Sequence, residues 1–148
     1  MFASLKKLFA VPVESKEQIS YQKAVAALLM EVMLADHEVD QSEEAEIKKF
    51  LLESTDLGDE IDALYEETIA GVEEANDLYQ FTRVINSVAS IEQKMELLKG
   101  LWRVALADDH LDSYEDHRIR RISELLLMPH SEFIQAKLFV QNEVAQEK

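Results

Sequence analysis

The chain has 148 residues, no cysteine, and 30 acidic residues against 15 basic ones, a formal charge of -15 at pH 7. That length suits one domain with its own core, and the missing cysteines exclude disulfides, a thiolate nucleophile and Cys-ligated zinc while suiting a reducing, cytoplasmic compartment. The charge repels phosphate backbones and so argues against a nucleic-acid partner, whereas it attracts cations and basic segments.

Gly and Pro are few, at 3 and 2, and apolar residues recur at three- and four-residue steps, so every element reads as a helix. At the N-terminus, Met1, Phe2, Leu5, Leu8 and Phe9 with Lys6 and Lys7 form a short amphipathic helix within residues 1–12. Packing on the body of the domain is its expected role; a membrane-surface or partner contact is the alternative. Ser15 with Gln18 is a capping-box pattern that opens a long apolar helix, in which Glu31 is the one polar residue from Ala24 to Ala35. Its apolar run Ala24 to Met30 falls short of the roughly 20 residues a membrane span needs. Asp40 with Glu43 starts the next helix, and amphipathic stretches follow at Ile61 to Val72 and Leu78 to Val88. Ser90 with Gln93 opens a second apolar helix whose only charges from Leu97 to Ala107 are Lys99 and Arg103. Asp112 with Glu115 starts another helix, and a last one follows Ser131 with Phe133, Ile134 and Leu138.

The chain repeats itself at an offset of 72. Leu29 falls on Leu101, Val32 on Val104, Leu34 on Leu106, Asp36 on Asp108, Asp40 on Asp112, Glu43 on Glu115 and Ile47 on Ile119. This register predicts one domain, residues 1–148, with an all-α, multi-helical bundle duplicated about a pseudo-two-fold axis. Its halves span approximately 15–75 and 87–148, around two central apolar helices. Glu31 and Arg103 are equivalent under that offset, which predicts that they meet across the axis or share a water, unless each occupies an exposed helix edge.

The repeated element runs Leu-Ala-Asp, three residues, Asp, two residues, Glu. Asp40 and Asp112 suit N-caps, with Glu43 and Glu115 reaching back to the cap. Asp36 and Asp108 are left unexplained, since a carboxylate in the last turn of a helix meets the negative end of its dipole. Helix capping alone, or capping together with a hard cation held by oxygen ligands, accounts for the set; the metal candidates are Asp36, Asp40, Glu43, Asp108, Asp112 and Glu115, and the cation would be Ca²⁺ or Mg²⁺. Residues 36 to 46 also hold Glu38, Glu44 and Glu46 with no Lys or Arg, and residues 108 to 116 add Asp109 and Asp116. Such crowding would be relieved by a cation. An EF-hand is excluded, because loops started at Asp36 and Asp108 place Gln41 and Ser113 where Gly belongs, and Ile47 and Ile119 where Glu belongs. His37, His110, His117 and His130 match neither di-iron nor zinc-protease spacing and read as surface residues, and there is no Gly-rich phosphate loop or triad signature.

The Ala-Asp, Asp-x-x-Glu turn, occurring twice between an apolar helix and a charged one, resembles the TerB family of tellurite-resistance proteins, a fold also found as the N-terminal domain of DnaJ-like membrane co-chaperones. The likeness covers roughly Ser15 to Lys137. It implies an all-helical pseudo-two-fold bundle, a bacterial cytoplasmic setting that extends to the periphery of the inner membrane, no catalysis, and a link to metal or envelope stress. The family's turn commonly has Gly after Ala-Asp, where this chain has His37 and Asp109. The resulting expectation is a non-enzymatic stress-response or adaptor domain. Its partner would be a protein, a membrane protein or a basic segment, and a divalent cation would sit on the acidic turns. A carboxylate-dependent hydrolase and a purely structural interaction module without metal are the alternatives.

Overall fold

The computed structural model describes residues 20–36, 40–74, 78–107 and 113–147, with the side chains of residue 36 and residues 71–74 left aside. Seven α-helices and no strand occur among the described residues: α1 (Tyr21–Met33), α2 (Gln41–Ser54), α3 (Ile61–Glu74), α4 (Tyr79–Val88), α5 (Ile91–Ala105), α6 (Ser113–Leu125) and α7 (His130–Gln146). Short 3₁₀ turns at Leu34–Asp36 and Gly58–Glu60 follow α1 and precede α3.

Apolar residues on nearly every side of α1 dictate its place at the centre. Ala24 to Met30, Val32 and Met33 are all buried, and α1 packs on α2, α3, α4, α5 and α6. Ser20 caps it by accepting from the Lys23 amide, so the described helix opens there and the Ser15 and Gln18 box lies outside the described residues. The second apolar helix, α5, packs on α1, α2, α6 and α7, and its start is the full capping box expected: Gln93 N–H donates to Ser90 Oγ while the Ser90 amide donates to Gln93 Oε1. Trp102 on α5 is wholly buried and meets Phe133 of α7 with ring centroids 5.4 Å apart.

At Gly100 the backbone of α5 lies so close to the Phe50 ring of α2 that an added Cβ would sit 2.5 Å from it. The α6–α7 connection is a Schellman closure: the Leu127 amide donates to Glu124 O and the Met128 amide to Ser123 O. Leu127 takes the left-handed position usual for glycine, at φ 62°, and Pro129 then caps α7. Two side chains brace this turn, Asn86 donating to Leu125 O at 3.0 Å and Lys94 to Leu126 O at 3.1 Å.

The expected Glu31 to Arg103 contact is not made. Glu31 pairs instead with Arg118 of α6, Nη1 to Oε2 at 2.5 Å, and Arg103 makes a two-pronged bond to Glu143 of α7, at 2.7 and 3.1 Å. Although α1 and α5 pack on each other, each charge meets an opposite partner on a further neighbouring helix, α6 beside α1 and α7 beside α5. Burial pushes the Glu31 carboxyl above its ordinary range, even against the opposing pull of Arg118.

Candidate functional site

The two acidic turns begin alike. After α1, the Leu34 amide donates to Met30 O and Val32 O at φ -89° and ψ 6°; after α5, the Leu106 amide donates to Trp102 O and Val104 O at φ -99° and ψ 5°. The tightened last turn occupies orphan carbonyls that would otherwise need water. Asp36 closes the first 3₁₀ turn, while Asp108 and Asp112 lie outside the described residues.

Asp40 is the N-cap of α2, as its position suggested. Its Oδ1 accepts from the Ser42 amide at 2.9 Å, from the Glu43 amide at 3.1 Å and from the Ser42 hydroxyl. Those donors, the Ser42 hydroxyl first, hold the Asp40 carboxyl below the usual carboxylate range. One residue set is unusual for such an acidic chain: Glu43 and Glu115, in the first turns of α2 and α6, are only 3% and 2% exposed. The positive ends of their helices favour carboxylates there, which offsets part of the desolvation.

The other acids of the first run do not share one site. Successive helical positions are turned by about 100°, so Glu44 leaves the face on which Glu43 is buried, while Glu46, nearly one turn on, is half-buried. Glu44 accepts from the Tyr65 hydroxyl at 3.1 Å and pairs with Lys48 at 3.2 Å, and Lys48 also reaches Asp62 at 3.1 Å. Burial and the Glu44 charge push the Tyr65 phenol well up. Glu46 lines a cleft of about 410 Å³ with Glu53, Arg103, Glu143 and Glu147, where burial raises its carboxyl. The sequence window that showed no base ended two residues before Lys48, and the i, i+4 spacing of Glu44 and Lys48 was the available signal. Arg118 carried no such signal, since it meets Glu31 across 87 residues. In the second run, Asp116 Oδ1 is shielded from solvent with no hydrogen-bond partner among the described residues. His117 and His130 are exposed, His130 stacking on Phe133 at 5.6 Å, whereas His37 and His110 lie outside the described residues. Among the described residues no group of three His, Asp or Glu side chains is arranged to hold a metal ion.

These features define an all-α helical bundle with buried carboxylates in the first turns of α2 and α6. The match of residues 22–138 to the family model of the tellurite resistance protein TerB makes the assignment specific, and the chain belongs to that family. No curated relative and no solved structure matches the chain. No helix among the described residues is long and apolar enough to cross a membrane.

Proposed function

We propose that the protein is a non-enzymatic stress-response or adaptor domain that docks a protein partner, and that its two acidic turns take a divalent cation, Ca²⁺ or Mg²⁺. The observation that carries this reading is the near-complete burial of Glu43 and Glu115 at matching places in the two turns. The positive start of a helix favours carboxylates there, and a cation beside them would add to that effect in a chain already at -15. The donor chemistry suits a hard cation, whose preferred ligands are carboxylate oxygens, and Asp116 in the first turn of α6 has a solvent-shielded oxygen. Asp36, Asp40 and Glu43 would serve the first site and Asp108, Asp112 and Glu115 the second. A bound cation would supply charge neutralisation and cross-link the turn to the following helix.

The same reading treats the chain as a duplication. Helices α1 and α5 end at Met33 and Ala105, α2 and α6 begin at Gln41 and Ser113, and α3 and α7 end at Glu74 and Gln146, each pair 72 residues apart. Helix α4 lies between the two sets of three, and the positions 72 residues before it fall outside the described residues.

Thermal melting with CaCl₂ or MgCl₂ against NaCl at matched ionic strength tests the cation sites. A ligand at 100 times its dissociation constant adds about 2.7 kcal/mol, and Asp36→Asn with Asp108→Asn removes only two acids yet should abolish that gain. If NaCl reproduces the effect, or the double variant responds as the parent does, the acids are caps and solvated surface.

A further inference from the structure

A groove of about 550 Å³ opens where the start of α1, the end of α2 and the start of α5 meet. Val25 and Leu97 form its buried floor, and the half-buried rings of Tyr21 and Phe50 form its walls. Phe50 is held against the α5 backbone at Gly100, so that wall is fixed. The rim carries Glu92 and Glu96, both exposed, and no Lys or Arg lines the groove among the described residues. Past Phe50 and Glu96 it continues into the acidic cleft that holds Glu46 and Glu53. Its volume is in the range of sites that enclose a ligand, about 300 to 1,000 Å³, and an apolar floor under an acidic rim selects an amphipathic, cationic occupant.

The chain itself carries such a segment. Met1, Leu5 and Leu8 recur at helical spacing with Phe2 and Phe9 beside them, and Lys6 and Lys7 flank that stripe in a protein with twice as many acids as bases. From Leu5 the chain reaches Tyr21, on the groove wall, in sixteen residues, a span of up to about 50 Å when extended. We propose that residues 1–9 dock in this groove as an amphipathic helix, their apolar stripe on Val25, Phe50 and Leu97 and their lysines toward Glu92 and Glu96. The groove is thereby a built-in partner site that a competing cationic amphipathic helix enters only by displacing the N-terminal segment. This assignment does not depend on the acidic turns or on any cation.

The absence of native cysteine gives a direct test in the full chain. Leu5→Cys is combined with Ser54→Cys on the groove wall, or with Ser113→Cys at the start of α6 as a control; α6 packs beside the 3₁₀ turn that ends α1, about 20 Å along that helix from Tyr21. On mild oxidation at low concentration the Ser54 pair should close an intramolecular disulfide at least several-fold faster than the control pair. Lys6→Glu with Lys7→Glu should slow that closure several-fold, and adding Glu92→Lys with Glu96→Lys should restore it. Equal closure of the two pairs overturns the proposal. So does a covalent dimer, which would place the segment in a second copy, and so does loss of closure only when phosphatidylglycerol vesicles are absent, which would make it a membrane contact. Native-like circular dichroism of each variant keeps a folding failure from passing as either result.

Discussion

Replacing Arg118 with alanine should be the most damaging single change at a half-exposed residue of this domain. The guanidinium is about a third exposed, at 35%, but its partner Glu31 retains only 12% of its side-chain exposure and stands in the most apolar helix. Breaking a fully buried pair costs about 3 to 5 kcal/mol because one charge is stranded, and breaking an exposed pair costs about 0 to 1. With one member near the first limit and the other nearer the second, about 2 to 3 kcal/mol is expected, or roughly 5 to 10 °C in melting temperature for a chain of this size. Urea unfolding followed by the fluorescence of Trp102, the single tryptophan and wholly buried, gives the measurement. The pH dependence adds a second reading. Because the folded-state pKa of Glu31 is raised, the stability gained by its protonation is present at low pH and is lost as pH rises through that raised value. Without Arg118 the shift grows, so Arg118→Ala should be closer to the parent at pH 5 than at pH 8. Glu31→Leu with Arg118→Leu should recover most of the loss, since an apolar pair of similar size leaves no charge behind. A cost below about 0.5 kcal/mol for Arg118→Ala at pH 7 would refute the reasoning and mean that water already solvates Glu31.

Leu127→Gly should raise stability by about 0.5 to 1 kcal/mol in the same urea assay, because glycine takes the left-handed position of the Schellman turn without a Cβ penalty. Asp40→Ala should cost about 0.5 to 2 kcal/mol by uncapping α2, and Asp40→Asn much less. Since the Asp40 carboxyl is held low, its contribution is present above the unfolded pKa and lost as pH falls through the folded one, so Asp40→Asn should flatten the acid limb of the stability curve below about pH 4. Gly100→Ala should displace the Phe50 ring and destabilise by about 1 to 2 kcal/mol, the overpacking outweighing the gain in helix propensity; a stabilised variant would show that the ring yields freely.

The central helices were legible because their residues leave no choice: a stretch apolar on every side, such as Ala24 to Met30, has to be interior. Local pairs were legible for the same kind of reason, since the Ser90 with Gln93 box and the Asp40 cap on the Ser42 and Glu43 amides are set by the geometry of one helical turn. Long-range partners were not. Glu31 and Arg103 occupy equivalent positions in the sequence, yet which cation faces Glu31 depends on α6 crossing α1, and helix order does not state that crossing. The acidic turns were half legible. Composition counts charges but cannot say that Glu43 turns inward while Glu44 turns to Tyr65 and Glu46 to the cleft beside α7. The groove left no mark in the sequence, being made by three helix ends that are distant along the chain.

The placement of α1 has a consequence for how the chain can be divided. It packs on α2 and α3 and also on α4, α5 and α6, so the helices of the first half cover only part of its surface. A cut in the connection between α3 and α4 should therefore yield two fragments that are separately aggregation-prone and weakly helical, yet reassemble when mixed, with α1 of one fragment completing the interior of the other. Such a chain would be split for complementation at that connection, and its amides in α1 would exchange with solvent only when the whole bundle opens.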